Sequence, residues 1–341
     1  MKRITLIIIC ALLTPMFSFR GEQQTSCSWN DNTNVYDALF ELGEVKPPHY
    51  IENPDPEDIR MGKEMVFEGR AVKTDGSKSK YISNIFKCVD CHNQVREDPA
   101  LFNPNPDTRL EYVSANGLKF YQATTFWGMV NRESWYNDDY YIKYGERVQK
   151  ANKNIDEATQ LCAEICSAGR LLEDWELKAV TSYYWSLQLK LGDLGLAPED
   201  WTKIETMYHE ATQHKDLFAF LKSKYMLYSP AHFGEGPTDK EAGYPALTGN
   251  ASSGEKIYKL SCQTCHRDGG PSDLIFDESK FTFKKLQKDI TDDGQLSIYE
   301  IIRHGTYSDA GKPEYMPLYT YDRMSNQQVE DLRAYIELQA E

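Results

Sequence analysis

Hydrophobic positions recur at helical spacing through most of this chain, and no run alternates strictly enough to argue for a sheet. The clearest pattern closes the sequence. In SNQQVEDLRAYIELQ, Val329, Leu332, Tyr335 and Ile336 fall on one helical face, and Ser325 with Gln328 forms a capping box that marks where the helix begins. A second long helix is predicted in LLEDWELKAVTSYYWSLQL, with Leu177, Val180, Tyr184 and Leu187 as its apolar stripe. Shorter helices are predicted at MGKEMVFEG and SSGEKIYKL. Between the two halves, APEDWTKIETMYHEATQHKDLFAFLKSKYML also reads as helical, with Pro198 suited to a first turn. An isolated helix of that length is marginal in water, so this connector is expected to pack between two domains.

The order of elements occurs twice: a short helix, a cysteine-rich pentad, then a longer helix that closes the unit. The pattern predicts a mainly α protein with two related domains in tandem, joined by a helical connector. Expected boundaries are a signal segment at 1–20, an extended Asn-, Asp- and Pro-rich leader at 21–57, and a first domain at 58–192. The connector and an irregular linker then occupy 193–250, and the second domain 251–341.

The N-terminus changes the expected location. In MKRITLIIICALLTPMFSFRG two basic residues precede a short apolar run, which is a secretory pattern and too short for a typical membrane span. Export to a periplasm-like compartment is expected, with an uncleaved membrane anchor as the alternative. Neither Cys10 nor Cys27 sits in a good acylation context. The formal net charge is −14 with no basic stripe, which argues against nucleic-acid binding and favours basic protein partners.

Of eight cysteines, four lie in two pentads, CVDCH (Cys88 to His92) and CQTCH (Cys262 to His266). CxxCH is the attachment signal of c-type haem. Two thiols three positions apart reach the two vinyl groups of one porphyrin, and the adjacent imidazole meets the iron from the same side. Zinc normally asks for four closed ligands, and a redox dithiol does not need the trailing His. The expected cofactors are therefore two covalently bound haem c, held by Cys88 and Cys91 and by Cys262 and Cys265, with His92 and His266 as axial iron ligands.

Each iron then has a sixth position to fill. In the second unit Met316 stands fifty positions after His266 (316 against 266), just before the closing helix, with Pro317 stiffening its strap. Met324 is the alternative. In the first unit the corresponding place holds no Met but QLCAEICSAGR, with Cys162 and Cys166. A thiolate is a known haem ligand type. Cys162, Cys166 and Met129 are the candidates, in that order.

From Ser253 onward the second unit resembles class I cytochrome c. The segment from Phe126 to Glu176 resembles the N-terminal haem domain of the thiosulfate dehydrogenase family. It shares that family's spacing of a Cys, a Gly seven positions later and a Leu-containing start of the last helix, here Cys162, Gly169, Leu171 and Leu172. The resemblance implies Cys162 as distal ligand of an active-site haem, with the second haem passing electrons onward. The chain departs from the family at Ile165 and Cys166, where an Arg and a Ser are usual, and at Ala168, where an Asn is usual. Arg132, Arg147 and Arg170 are alternative sources of positive charge; each is by default a surface residue, and Arg170 is a weak catalytic candidate. Cys166 is expected to pair, if with anything, with Cys27 rather than with Cys162.

The reading is a dihaem electron carrier that exchanges electrons with redox proteins. The alternative is an oxidoreductase acting at Cys162 on thiosulfate or another small sulfur anion. The stretch Asp289–Glu300 is spaced like a calcium loop, but Thr291 replaces an expected acid, and calcium is not expected.

Overall fold

The structure is a computed structural model that describes residues 27–292, 297–306 and 316–341. Among them there is no β-strand, only isolated antiparallel bridges between Asn34 and Lys190 and between Val72 and Lys78. The fold is mainly α, as the periodicity predicts.

Each half is organised by one helix crossing. In the first half the helix Pro56–Glu68 begins at an Asp55 cap with Pro at its first position, and it ends at Gly69, whose φ of 74° stops it. It buries Met61, Gly62, Met65 and Val66 against the closing helix Asp174–Ser186. The axes meet at Gly62, where a Cβ would stand 2.0 Å from the Ala179 carbonyl oxygen and 3.0 Å from the Tyr183 Cβ. The second half repeats this crossing. The helix Ala251–Ile257, capped by Asn250, meets the closing helix Asn326–Ala340 at Gly254. A Cβ at Gly254 would stand 2.0 Å from the Asp331 carbonyl oxygen and 2.8 Å from the Tyr335 Cβ. The predicted Ser325–Gln328 capping box is present, and Val329, Leu332, Tyr335 and Ile336 are buried.

The hydrophobic core forms two main clusters, and the chain is divided between them less simply than its sequence suggests. The predicted leader is not merely extended: Val35–Glu41 is helical, and Val35, Ala38 and Leu39 are fully buried in the first core. The connector is two helices, Pro198–Tyr208 and His214–Lys222, and both lie on the first core instead of between the halves. Ile204, Met207, Leu217 and Leu221 are the side chains that decide this. Conversely, the helix Pro106–Ala115 lies within the first half by sequence, yet its Leu110 and Val113, with Phe120, complete the second core beside Ile257, Tyr258 and Phe283. The irregular stretch before Ala251 is tied to the last helix, where Glu330 accepts from the Tyr244 amide and Asp331 from the Asn250 amide.

Candidate functional site

The two pentads are built alike. In the first, Cys88–Asp90 is a single 3₁₀ turn whose start is fixed by the Asp90 carboxylate accepting the Lys87 amide at 2.7 Å. His92 Nδ1 lies 2.6 Å from the Thr124 carbonyl oxygen, so Nδ1 carries the proton and Nε2 keeps its lone pair. The ring stacks on Phe126, with centroids 4.3 Å apart and planes 14° from parallel. In the second, Cys262 ends a π-helical turn and His266 ends the short helix that follows. His266 Nδ1 is 2.7 Å from the Leu274 carbonyl oxygen, and its ring stacks on Phe276 at 4.1 Å and 13°. Both imidazoles are thus oriented by one carbonyl and clamped by one aromatic ring. Burial holds both below the usual histidine range, His92 down to about 4, and keeps them neutral. Burial also pushes the thiols of Cys88 and Cys262 up to about 12.

A cavity of about 180 Å³ is lined by Cys88, Cys91 and His92 together with Cys162, Cys166 and Met129. All three candidate sixth ligands of the first unit therefore face the same space. Cys162–Cys166 forms a π-helical turn, a wider winding that recurs at functional sites. Hydrogen bonding to Cys166, and then burial, holds the Cys162 thiol well above its ordinary range. Cys166 Sγ is also 3.8 Å from the Tyr144 hydroxyl and 4.0 Å from that of Tyr136. The Cys162 thiol is therefore protonated unless a cation enters the cavity, and a metal ion is the charge that deprotonates a coordinating thiol. The donor set suits a haem: two attachment thiols, an imidazole with its outer nitrogen free, and soft sulfur opposite.

Other candidates fall elsewhere. Arg170 does not line the cavity. Its guanidinium bridges both Glu176 oxygens at 2.6 and 2.7 Å and the carbonyls of Tyr81, Lys80 and Leu171, so it ties the start of the closing helix to the loop before the first pentad. Arg147 pairs with Glu164 near the surface. Arg132, by contrast, is buried and lines the cavity. No disulfide joins the described cysteines. Cys27 lies on the connector side of the first core, its amide donating to Glu205, away from the cavity that holds Cys166, so the expected Cys27–Cys166 link is not made. Met324 is buried in the second core, whereas Met316 is half-buried and strapped through its backbone to Thr306 at 2.6 and 2.9 Å. Part of the calcium-like loop, 293–296, lies outside the described residues.

The sequence did not show that the two pentads meet. Cys265 helps to push the Cys91 thiol up, Asp90 of the first turn does the same to Cys265, and Tyr121 senses both cysteines along with Asp90 and Arg267. Pro317 and Leu318, directly after Met316, line the first cavity. Tyr136, Tyr140 and Tyr144 line it too, four positions apart.

Residues 249–336 match a family model described as Cytochrome C oxidase, cbb3-type, subunit III. No curated protein and no solved structure matches the chain. The match encloses Cys262, Cys265, His266 and Met316. The C-terminal part of the chain is a cytochrome c domain, so the protein binds haem c covalently and transfers electrons.

Proposed function

We propose that this protein is an exported dihaem cytochrome c, in which a haem held by Cys88, Cys91, His92 and Cys162 passes electrons to one held by Cys262, Cys265, His266 and Met316. The observation that carries the reading is the shared way in which the two pentad histidines are held. Each His has one nitrogen bonded to a carbonyl and a ring stacked on Phe, beside a glycine crossing of the same geometry. Haem iron supplies reversible one-electron transfer. The chain's part is to orient His92 and His266, to hold sulfur opposite each, and to bring the Cys91 and Cys265 edges together around Tyr121. An iron bound by His and thiolate sits at lower potential than one bound by His and Met, which directs electrons from the first site to the second. The acidic surface suits a basic redox partner, with association weakening as salt rises. The export reading rests on residues 1–20, outside the described residues; among those described, no helix is long and apolar enough to cross a membrane.

The test is an iron count with electron paramagnetic resonance of the oxidised protein. Two irons per chain are expected, one with the signature of axial thiolate and one of His/Met. One iron per chain, or two His/Met signals, defeats the proposal as stated.

A second reading, an oxidoreductase for small sulfur anions, is favoured by the cavity at Cys162 with a buried Arg132 in its wall. It predicts that thiosulfate reduces the haems and that Cys162→Ala abolishes this. A wild-type protein left fully oxidised by thiosulfate returns the assignment to the carrier.

A further inference from the structure

Three buried guanidinium groups gather behind the first cavity: Arg109 and Arg132 from the first half, and Arg323 from the second. Three carboxylates lie near them, Glu97, Asp98 and Asp322. Arg323 is engaged, 2.9 Å from Glu97 and donating to the carbonyls of Tyr121 and Ala123. Arg109 donates to the carbonyls of Tyr121 and Arg323 and lies 3.9 Å from the Phe120 ring centre. Asp322 accepts the His232 amide at 3.4 Å.

Arg132 differs from its neighbours. It is only 8% exposed, and the one hydrogen bond of its guanidinium among the described residues is a 3.5 Å contact with Thr124 Oγ1. None of the described carboxylates forms an ion pair with it. A buried charge without a partner is strongly unfavourable, and a guanidinium offers five donors in a planar fork suited to a carboxylate or oxoanion. Arg132 also stands in a shared wall. Behind the 180 Å³ cavity lies a smaller one of about 60 Å³, and both are lined by Arg132, Arg323, Asp322 and Thr124.

We infer that Arg132, with Arg323 beside it, forms an anion site at the junction of the two cavities, taking a carboxylate or a small oxoanion. Two sources share that chemistry: the carboxylates at the edge of a haem in the first cavity, and a free dianion from solution. Only the first source depends on the haem reading. In either case the site draws on both halves of the chain, because Arg323 belongs to the cytochrome c domain and Arg132 does not.

The test uses the purified holoprotein and sodium sulfate as probe, followed by calorimetry and by the Soret band. Variants are Arg132→Gln and Arg132→Lys, with Arg147→Gln as a surface control. For a free anion, sulfate binds saturably to the wild type, about tenfold or more weaker to Arg132→Gln, and at an intermediate level to Arg132→Lys. For a haem carboxylate, sulfate does not bind. Instead, Arg132→Gln shifts the first haem's reduction potential and its carboxylate vibrational bands, Arg132→Lys shifts them less, and Arg147→Gln leaves both unmoved. The inference is overturned if Arg132→Gln changes neither sulfate affinity nor those haem properties. Should the Gln variant not fold, the Lys variant against wild type decides on the same readouts. Two irons with a silent Arg132 removes the anion site and leaves the dihaem reading. One iron with Arg132-dependent sulfate binding does the reverse.

Discussion

At the scale of single residues, the chemistry of this protein is set by which atom of each side chain is already occupied. His92 and His266 spend Nδ1 on a carbonyl, which leaves Nε2 as the only nitrogen available to a metal. Cys162 and Cys166 hydrogen-bond within one π-turn, so one thiol can act while the other steadies it. Replacing Cys162 by Met should raise the first haem's potential and remove the thiolate signature, whereas Cys166→Ala should retain that signature; potentiometry with paramagnetic resonance reads both. Phe126 is 3% exposed and carries the face of His92. Phe126→Ala should cost about 3–5 kcal/mol in denaturant unfolding, measured against a surface Phe→Ala control such as Phe281, which should cost little. The pentads were legible as candidate haem attachment sites because covalent chemistry needs those residue types at that spacing. The orienting groups were not, because a backbone carbonyl such as that of Thr124 leaves no mark on residue identity. Arg170 illustrates the opposite error: the sequence offers a cation near Cys162, and only the Glu176 contacts reveal it as a structural clamp.

At the scale of elements, the two glycine crossings define each half. Gly62 and Gly254 are positions where any side chain meets a carbonyl oxygen of the closing helix at 2.0 Å. Overpacking of this kind costs about 1–3 kcal/mol or more, because backbone cannot turn aside as a flexible side chain can. Gly62→Ala and Gly254→Ala should therefore each lower the thermal midpoint clearly, while alanine at Gly117 should not meet a neighbour in this way, although its φ of 65° makes that site strained for another reason. Helix type and capping were readable from periodicity and from Ser325 with Gln328. The leader helix was not, since its seven residues sit among Asn, Asp and Pro and are too short to stand alone. Its burial comes from the first core. The connector's location was equally hidden, because an apolar stripe states that a face is buried without stating against what.

At the scale of the whole molecule, the halves are joined by buried polar contacts as well as by a shared core. Burial alone would raise the Glu97 carboxyl, but Arg323 and Arg109 outweigh it and hold the group below its usual range. A depressed folded-state value means that Glu97 contributes stability above the unfolded carboxyl pKa of about 4.3 and loses it as pH falls through the folded value. Urea midpoints followed downward from pH 6 should thus decline below about pH 4, and Glu97→Gln should flatten that part of the decline. Glu97→Ala, which strands Arg323, should cost about 3–5 kcal/mol at neutral pH. What the amino-acid sequence determined by itself was local and chemical: helical periodicity, caps, two attachment pentads and a sulfur-bearing strap before each closing helix. These depend on residues a few positions apart, where spacing is geometry. Only the tertiary structure decided that Cys162, Cys166 and Met129 line one cavity with His92, that cysteines of both pentads lie near Tyr121, and that an arginine from the second half lines the first cavity. Those relations join residues up to about two hundred positions apart, for instance Arg323 to Tyr121. They follow from packing two cores against each other, which no local pattern encodes.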